Sequence, residues 1–332
     1  MAKYRSSEAK DAAKEKVRGI FSAFCLPETG DGRFDEKGLR RDIRHYLDVI
    51  KADGLYVHGF YGNFWLLTSE ERRRVTEVVV DEVDSAVPII CRCAHASMRE
   101  TMDLISHADS CGIDFISLIG PPYAGHSDAM IVDYFEHVAA STDLGLSIFN
   151  TPQAGYVISP ELMARLAEIP NVCALKNDID MVHTIRVRQL VGDRIVVVDP
   201  SEERFFVNMA EFGQTAIYTG TNYMFDSAEA TPMHDYVHAG LAGNVSLMAE
   251  RYFGMEPIRQ VHHKWVLEPW QATGVCPIST IKRWTEQLGL TGGPVRPPLP
   301  SLPADETAAL VDDLRAAGLH VSGTDAMRSA AP

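Results

Sequence analysis

A lysine closes a short apolar run, Val172-Cys173-Ala174-Leu175-Lys176, that reads as a buried strand. Taking an ammonium out of water costs several kcal/mol unless the charge is paired or neutralised. One escape is a lowered pKa, which leaves the amine neutral and nucleophilic near pH 7. A neutral amine facing a cleft can condense with a ketone to give a Schiff base, and the imine then serves as an electron sink. The rival reading buries the stem and pairs the head with an acid, Asp178 or Asp199. Taken alone, Lys176 favours the rival. The surrounding chain reverses the choice.

A second feature is the loop His58-Gly59-Phe60-Tyr61-Gly62-Asn63. A Gly-x-x-Gly turn can aim backbone N–H groups at a carboxylate without a cationic side chain. Most such turns are only turns, and this one gains meaning from the lysine. Further strand ends carry Gly120-Pro121-Pro122-Tyr123, Phe149-Asn150-Thr151-Pro152 and Gly220-Thr221-Asn222. His58 and Tyr123 could move protons, though buried His and Tyr are more often satisfied core residues. Cys91, Cys93 and His95 alternate along one strand, but zinc would need a fourth ligand with no obvious source. Arg72-Arg73-Arg74 reads as a solvated helix face and His262-His263 as helix surface.

The elements that must position these residues follow from apolar patterning. Strands are expected at 19–24, 54–58, 88–92, 115–119, 146–149, 172–176, 195–198 and 215–219. Helix-period stretches lie between them at 35–52, 69–85, 98–111, 127–142, 159–168, 180–191 and 202–212. Thr68-Ser69-Glu70-Glu71 and Ser159-Pro160-Glu161 are helix starts. Eight strand–helix alternations with strands apolar on both faces predict an all-parallel sheet, closed as a (β/α)8 TIM barrel. An open doubly wound sheet is second choice, because no Gly-x-Gly-x-x-Gly follows the first strand. We expect a polar N-terminal arm over 1–17, the barrel over 18–226, a helical C-terminal extension over 227–321 and a frayed tail over 322–332. Within the extension, helices are expected at 228–240, 244–266, 278–288 and 303–316.

A chain of 332 residues with net charge −14 makes nucleic acid and anionic membranes poor partners. Its apolar stretches are too short to span a bilayer, and the first sixteen residues do not read as a secretion signal. Six cysteines, most of them in strand-like segments, suit reduced thiols in a cytoplasmic protein.

Three stretches together resemble the class I aldolases of the N-acetylneuraminate lyase and dihydrodipicolinate synthase superfamily. Gly59-Phe60-Tyr61-Gly62 with Leu67-Thr68-Ser69-Glu70-Glu71-Arg72 is similar to the family's Gly-Thr-Thr-Gly loop and Leu-Thr-x-x-Glu-Arg helix start. Phe149-Asn150-Thr151-Pro152, followed by Ile169-Pro170-Asn171-Val172 and Lys176, is similar to its Tyr-Asn-x-Pro strand and Schiff-base lysine. Cys276-Pro277, Gly289 and the run ending Arg296-Pro297-Pro298-Leu299 resemble its C-terminal signature. The resemblance implies a homotetramer or homodimer in which Lys176 forms an imine with pyruvate or a related 2-oxo acid. It gives the carboxylate to the backbone at Phe60 and Tyr61, and implies no metal and no organic cofactor.

The departures are informative. The tyrosine that usually ends the fifth strand is Phe149, the two loop threonines are Phe60 and Tyr61, and the aromatic a neighbouring subunit donates is Ala124. The hydroxyl relay is therefore rewritten, and Tyr61 is the candidate to supply a phenol. Gln153-Ala154-Gly155 lacks the arginine that clamps a second carboxylate in dihydrodipicolinate synthases. Phe60, Tyr61, Phe64 and Trp65 instead suit an aromatic or apolar acceptor, as in hydratase-aldolases, unless Phe64 and Trp65 pack under the following helix. The expected activity is a Schiff-base lyase with catalytic Lys176 and Tyr61. Gly59, Phe60, Tyr61, Phe149, Asn150, Tyr123, Gly220 and Thr221 are expected at the substrate. Alternatives are an imine-dependent dehydratase or deaminase, or a 2-oxo-acid-binding relative that has lost catalysis.

Overall fold

The computed structural model describes residues 3–121 and 126–321. Tyr123 and Ala124 lie outside the described residues. By internal contacts the chain divides into two units. One comprises Met1–Phe21, Asp53–Gly59 and Leu67–Thr219, the other Ser22–Ala52, Phe60–Leu66 and Gly220–Pro332.

The first unit is a nearly closed barrel. Its strands are β1 (Gly19–Ser22), β2 (Gly54–Val57), β3 (Ile89–Arg92), β4 (Phe115–Leu118), β5 (Gly145–Asn150), β6 (Val172–Asn177), β7 (Val196–Val198) and β8 (Ala216–Thr219). They run in the order β7-β6-β5-β4-β3-β2-β1-β8, and β7 lies against β8. Pairing from β2 to β7 is parallel. Short β-branched and aliphatic runs, buried on both faces, make these strands. The interior is filled by rings: Phe21 and Tyr218 lie 5.4 Å apart and Tyr56 and Tyr218 5.6 Å apart. The Tyr56 hydroxyl reaches the Ser117 hydroxyl at 2.7 Å.

In chain order the first helices are α1 (Ala9–Lys16), α2 (Glu36–Arg44), α3 (Ser69–Val83), α4 (Met98–Cys111), α5 (Asp128–Ala139), α6 (Pro160–Leu166), α7 (Met181–Val191) and α8 (Glu202–Phe212). Their starts were readable. The Thr68 hydroxyl accepts from Glu71 N while the Glu71 carboxylate accepts from Thr68 N, and Ser159 accepts from Leu162 N. The segment expected as a polar arm is folded instead. Ala9 and Ala13 in α1 are fully buried against β5, β6 and β7, because two methyl-sized side chains let a helix approach strand ends closely. Lys10 and Lys14 tie it down by donating to the carbonyls of Ala167 and Asp193, at 2.6 and 2.8 Å. Charged residues spaced between those alanines hide the narrow apolar face.

The second unit carries α2, the short α9 (Asn222–Phe225), α10 (Pro232–Leu241), α11 (Val245–Gly254), α12 (Glu256–His262), α13 (Glu268–Thr273), α14 (Ile278–Gln287) and α15 (Ala304–Ala316). The single helix expected over 244–266 is broken after Gly254, since Pro257 falls in the first turn of a new helix, α12. His262 is 6% exposed and packs on Phe225 and Trp284, so it is core rather than surface. Trp284 donates to the Met224 carbonyl at 2.7 Å. Among the described residues no helix is long and apolar enough to cross a membrane.

Candidate active site

In β6 every residue is buried except Lys176, which keeps partial exposure. The parallel register sets Lys176 beside Phe149 of β5 and Val198 of β7, so their side chains share a face. The Nζ atom lies 4.2 Å from the centroid of the Phe149 ring and 5.3 Å from that of Tyr56. Among the described residues it makes no ion pair. Asp199, a candidate partner, is committed to Arg204 at 2.7 and 2.8 Å and to Asn208 at 3.2 Å. Burial lowers the amine's pKa from 10.5 to about 8, with Asp178 opposing the shift and Arg92 adding to it. Loss of hydration at this position, with the Arg92 charge added, outweighs the opposing pull of Asp178 and favours the neutral amine.

Arg92 has no place in the sequence reading. It ends β3, is 2% exposed, and its Cζ stands 5.6 Å from the centroid of the same Phe149 ring. Burial lowers its pKa to about 10, so it stays cationic at neutral pH. The strand end that presents it is braced from behind. Arg72, expected on a solvated helix face, is instead buried and donates to the carbonyls of Arg92 and of Ala94, the latter at 3.0 Å. The first turn of α3 points that one arginine inward, while Arg74 pairs outside with Glu77 at 3.0 Å. His58 sits at φ +62° with its ring against α3, 3.1 Å from the Arg72 carbonyl and 3.0 Å from the Thr76 hydroxyl. Burial holds its pKa well below the usual histidine value. It is a neutral brace.

Asn150 ends β5 with its side chain fully engaged. Its amide donates to the Ile158 carbonyl and the Asn177 side chain, both at 3.0 Å, and its oxygen accepts from Ile158 N at 2.9 Å. These bonds shape the 151–158 loop and leave the amide no proton for a substrate.

In the second unit, Phe60–Gly62 and Phe64–Leu66 form two tight turns. Phe60, Phe64 and Trp65 cluster with centroids 5.5 to 6.0 Å apart, and Trp65 remains 44% exposed. Trp65 therefore does not pack away under a helix. Tyr61 meets Tyr223 at 6.4 Å and Trp270 of α13 at 6.1 Å, edge to face. A Cβ on Gly220 would fall 2.6 Å from the Tyr223 hydroxyl and 2.8 Å from the Tyr61 ring, so only glycine admits both rings. Thr221 is buried beside it. The 60–66 loop is fastened from the C-terminal segment: Arg296 donates to the Leu66 carbonyl at 3.1 Å and pairs with Glu28 at 2.9 Å. Glu28 also holds the buried Lys282 at 2.5 Å.

The model of the dihydrodipicolinate synthetase family matches residues 16–317. A 4-hydroxy-tetrahydrodipicolinate synthase from Methanothrix thermoacetophila is 29% identical over 90% of this chain and 96% of its own. An N-acetylneuraminate lyase from Clostridium perfringens is 32% identical over 54% of this chain and 63% of its own. A prophage protein of the dihydrodipicolinic acid synthase family from E. coli K12, solved in complex with pyruvate, superposes with TM-score 0.77. It is 26% identical over 91% of this chain and 99% of that one.

Proposed function

Because the chain belongs to the dihydrodipicolinate synthetase family, whose members here are class I aldolase-type lyases, we propose that it is a Schiff-base lyase acting on pyruvate or a related 2-oxo acid. One observation carries the reading: the Lys176 amine lies on two aromatic rings with no ion pair among the described residues and a pKa brought down to about 8. At neutral pH an appreciable fraction is then free base. That amine adds to the keto carbon, the carbinolamine loses water, and the protonated imine accepts the electron pair of the breaking carbon–carbon bond. Protonation of the enamine and hydrolysis return the lysine.

Family resemblance assigns the carboxylate to the backbone at Phe60 and Tyr61, and the Tyr61 phenol is our candidate to replace the missing strand-end hydroxyl. Gly59, Phe149, Gly220 and Thr221 complete this assignment. Tyr56 does place a hydroxyl-bearing ring against the amine, but its oxygen is already joined to Ser117. An aromatic or apolar aldehyde as acceptor or product is supported by Phe60, Phe64 and the exposed Trp65. A carboxylated aldehyde is disfavoured, because the 153–155 stretch offers no arginine. The same resemblance supports a homotetramer or homodimer, and six free cysteines accord with a reducing, cytoplasmic setting.

Reduction with borohydride in the presence of pyruvate, read by intact mass, tests the reading. We expect one adduct in the wild type and none in Lys176→Ala. A wild type that forms no adduct with any 2-oxo acid leaves a binding protein, not an aldolase.

A further inference from the structure

We propose that Arg92 receives the carboxylate of the 2-oxo acid, holding it beside the Lys176 amine at the face of Phe149. The inference rests on the imine reading above and deepens it by adding a charged receptor from the barrel wall. Arg92 and Lys176 end β3 and β6, and both present their cationic groups to one ring, at 5.6 and 4.2 Å from its centroid. Both belong to the barrel unit.

Chemistry fixes where an anion must go. Once the keto carbon is bonded to Nζ, the carboxylate is attached to that same carbon and cannot leave the vicinity of the imine. A buried guanidinium there meets it with two parallel N–H donors, the pairing for which its planar fork is suited. Charge balance agrees. Before substrate binds, the Arg92 guanidinium and, in its protonated form, the ammonium stand against the one acid felt by the amine, Asp178. With substrate bound as iminium, two positive groups remain and one carboxylate has joined them. Burying a guanidinium costs several kcal/mol, and Arg72 spends two side-chain N–H groups bracing the strand end that carries it. A cation held that firmly beside a carbonyl-condensing amine serves the anion that arrives with the carbonyl. In the empty site the same charge works against protonation of Lys176.

Trapping pyruvate and pyruvamide, its neutral amide, with cyanoborohydride at pH 9 tests this. Lys176 is mostly free base there, so a change in its protonation contributes little. In the wild type, subsaturating pyruvate should be trapped much faster than pyruvamide. Arg92→Gln should slow pyruvate trapping by ~30-fold or more and leave pyruvamide within ~3-fold, collapsing the preference. Arg92→Lys, which keeps the charge and loses the fork, should retain part of it. A preference left at its wild-type value by both variants overturns the proposal. So does a wild type that traps the amide as readily as the acid, a result that needs no variant to fold. A wild type that traps neither compound, nor any other 2-oxo acid, overturns the lyase reading itself, and this inference with it.

Discussion

Replacing Lys176 by methionine should abolish the adduct and yet stabilise the fold. Methionine keeps an unbranched apolar stem against Phe149 and Tyr56 and removes the charge. In the wild type, burial brings the amine's pKa from 10.5 to about 8, whereas the unfolded chain keeps the ordinary value. Each tenfold difference in proton affinity is worth about 1.4 kcal/mol. At pH 7 the unfolded chain is fully protonated at this position, so housing the amine costs the fold about 3 kcal/mol. This is an upper bound, because Lys176 keeps partial exposure. Between pH 8 and 10.5 the unfolded chain binds the extra proton. Wild-type stability therefore gains from this group as pH rises through that window, and the cost falls to about 1 kcal/mol by pH 10. Urea unfolding of both proteins at pH 7 and pH 10, followed by far-ultraviolet circular dichroism, reads the difference directly. Other titrating groups cancel between the two proteins. The desolvated-amine argument is refuted by a variant no more stable than the wild type at pH 7, or by a gain equal at both pH values.

The same shift sets the pH dependence of trapping. From pH 7 to pH 9 the wild-type rate should rise about tenfold and then level, whereas a hundredfold rise continuing to pH 10 would mark an ordinary lysine. Tyr61→Phe should lower turnover by ~10²-fold or more if its phenol moves the substrate proton, while Tyr56→Phe should cost less than ~10-fold; steady-state kinetics showing the reverse order would transfer the role to Tyr56. Arg72→Met should destabilise by roughly 3 kcal/mol, since it frees two buried carbonyls of their donors, and should lower turnover with it. An unchanged unfolding midpoint would show that Arg72 does not brace β3.

The barrel was legible because strand and helix periods differ and alternate cleanly. Val172 to Leu175 could be little other than a buried strand, and Thr68 with Glu71 marked a helix start to the residue. Lys176 stood out because its charge contradicts its neighbours. Arg92 did not, although it contradicts its own neighbours too. It sits between Cys91 and Cys93, whose thiols are the more conspicuous candidates as metal ligands. Alternation along β3 sends those thiols to one face and the arginine to the other, a distinction that needs the direction of the strand's pleat. Arg72 was misread because three arginines in a row look solvated, and only the phase of α3 singles out the first. Asn150 was placed at the substrate by motif, but its partners Ile158 and Asn177 are set by a loop conformation that spacing does not reveal. The burial of α1 escaped because two alanines make too small a stripe to register against surrounding lysines.

The clasp that Arg296, Glu28 and Lys282 form around Leu66 has a consequence for biosynthesis. Arg296 follows Leu66 by 230 positions, so a ribosome finishes every strand long before it releases the residue that secures the aromatic turn. A nascent polypeptide ending near 226 would carry Lys176 without its fastened 60–66 segment. Competence should thus arrive late in translation, and trimming the chain before Arg296 should loosen Phe60 and Trp65 while sparing the strands.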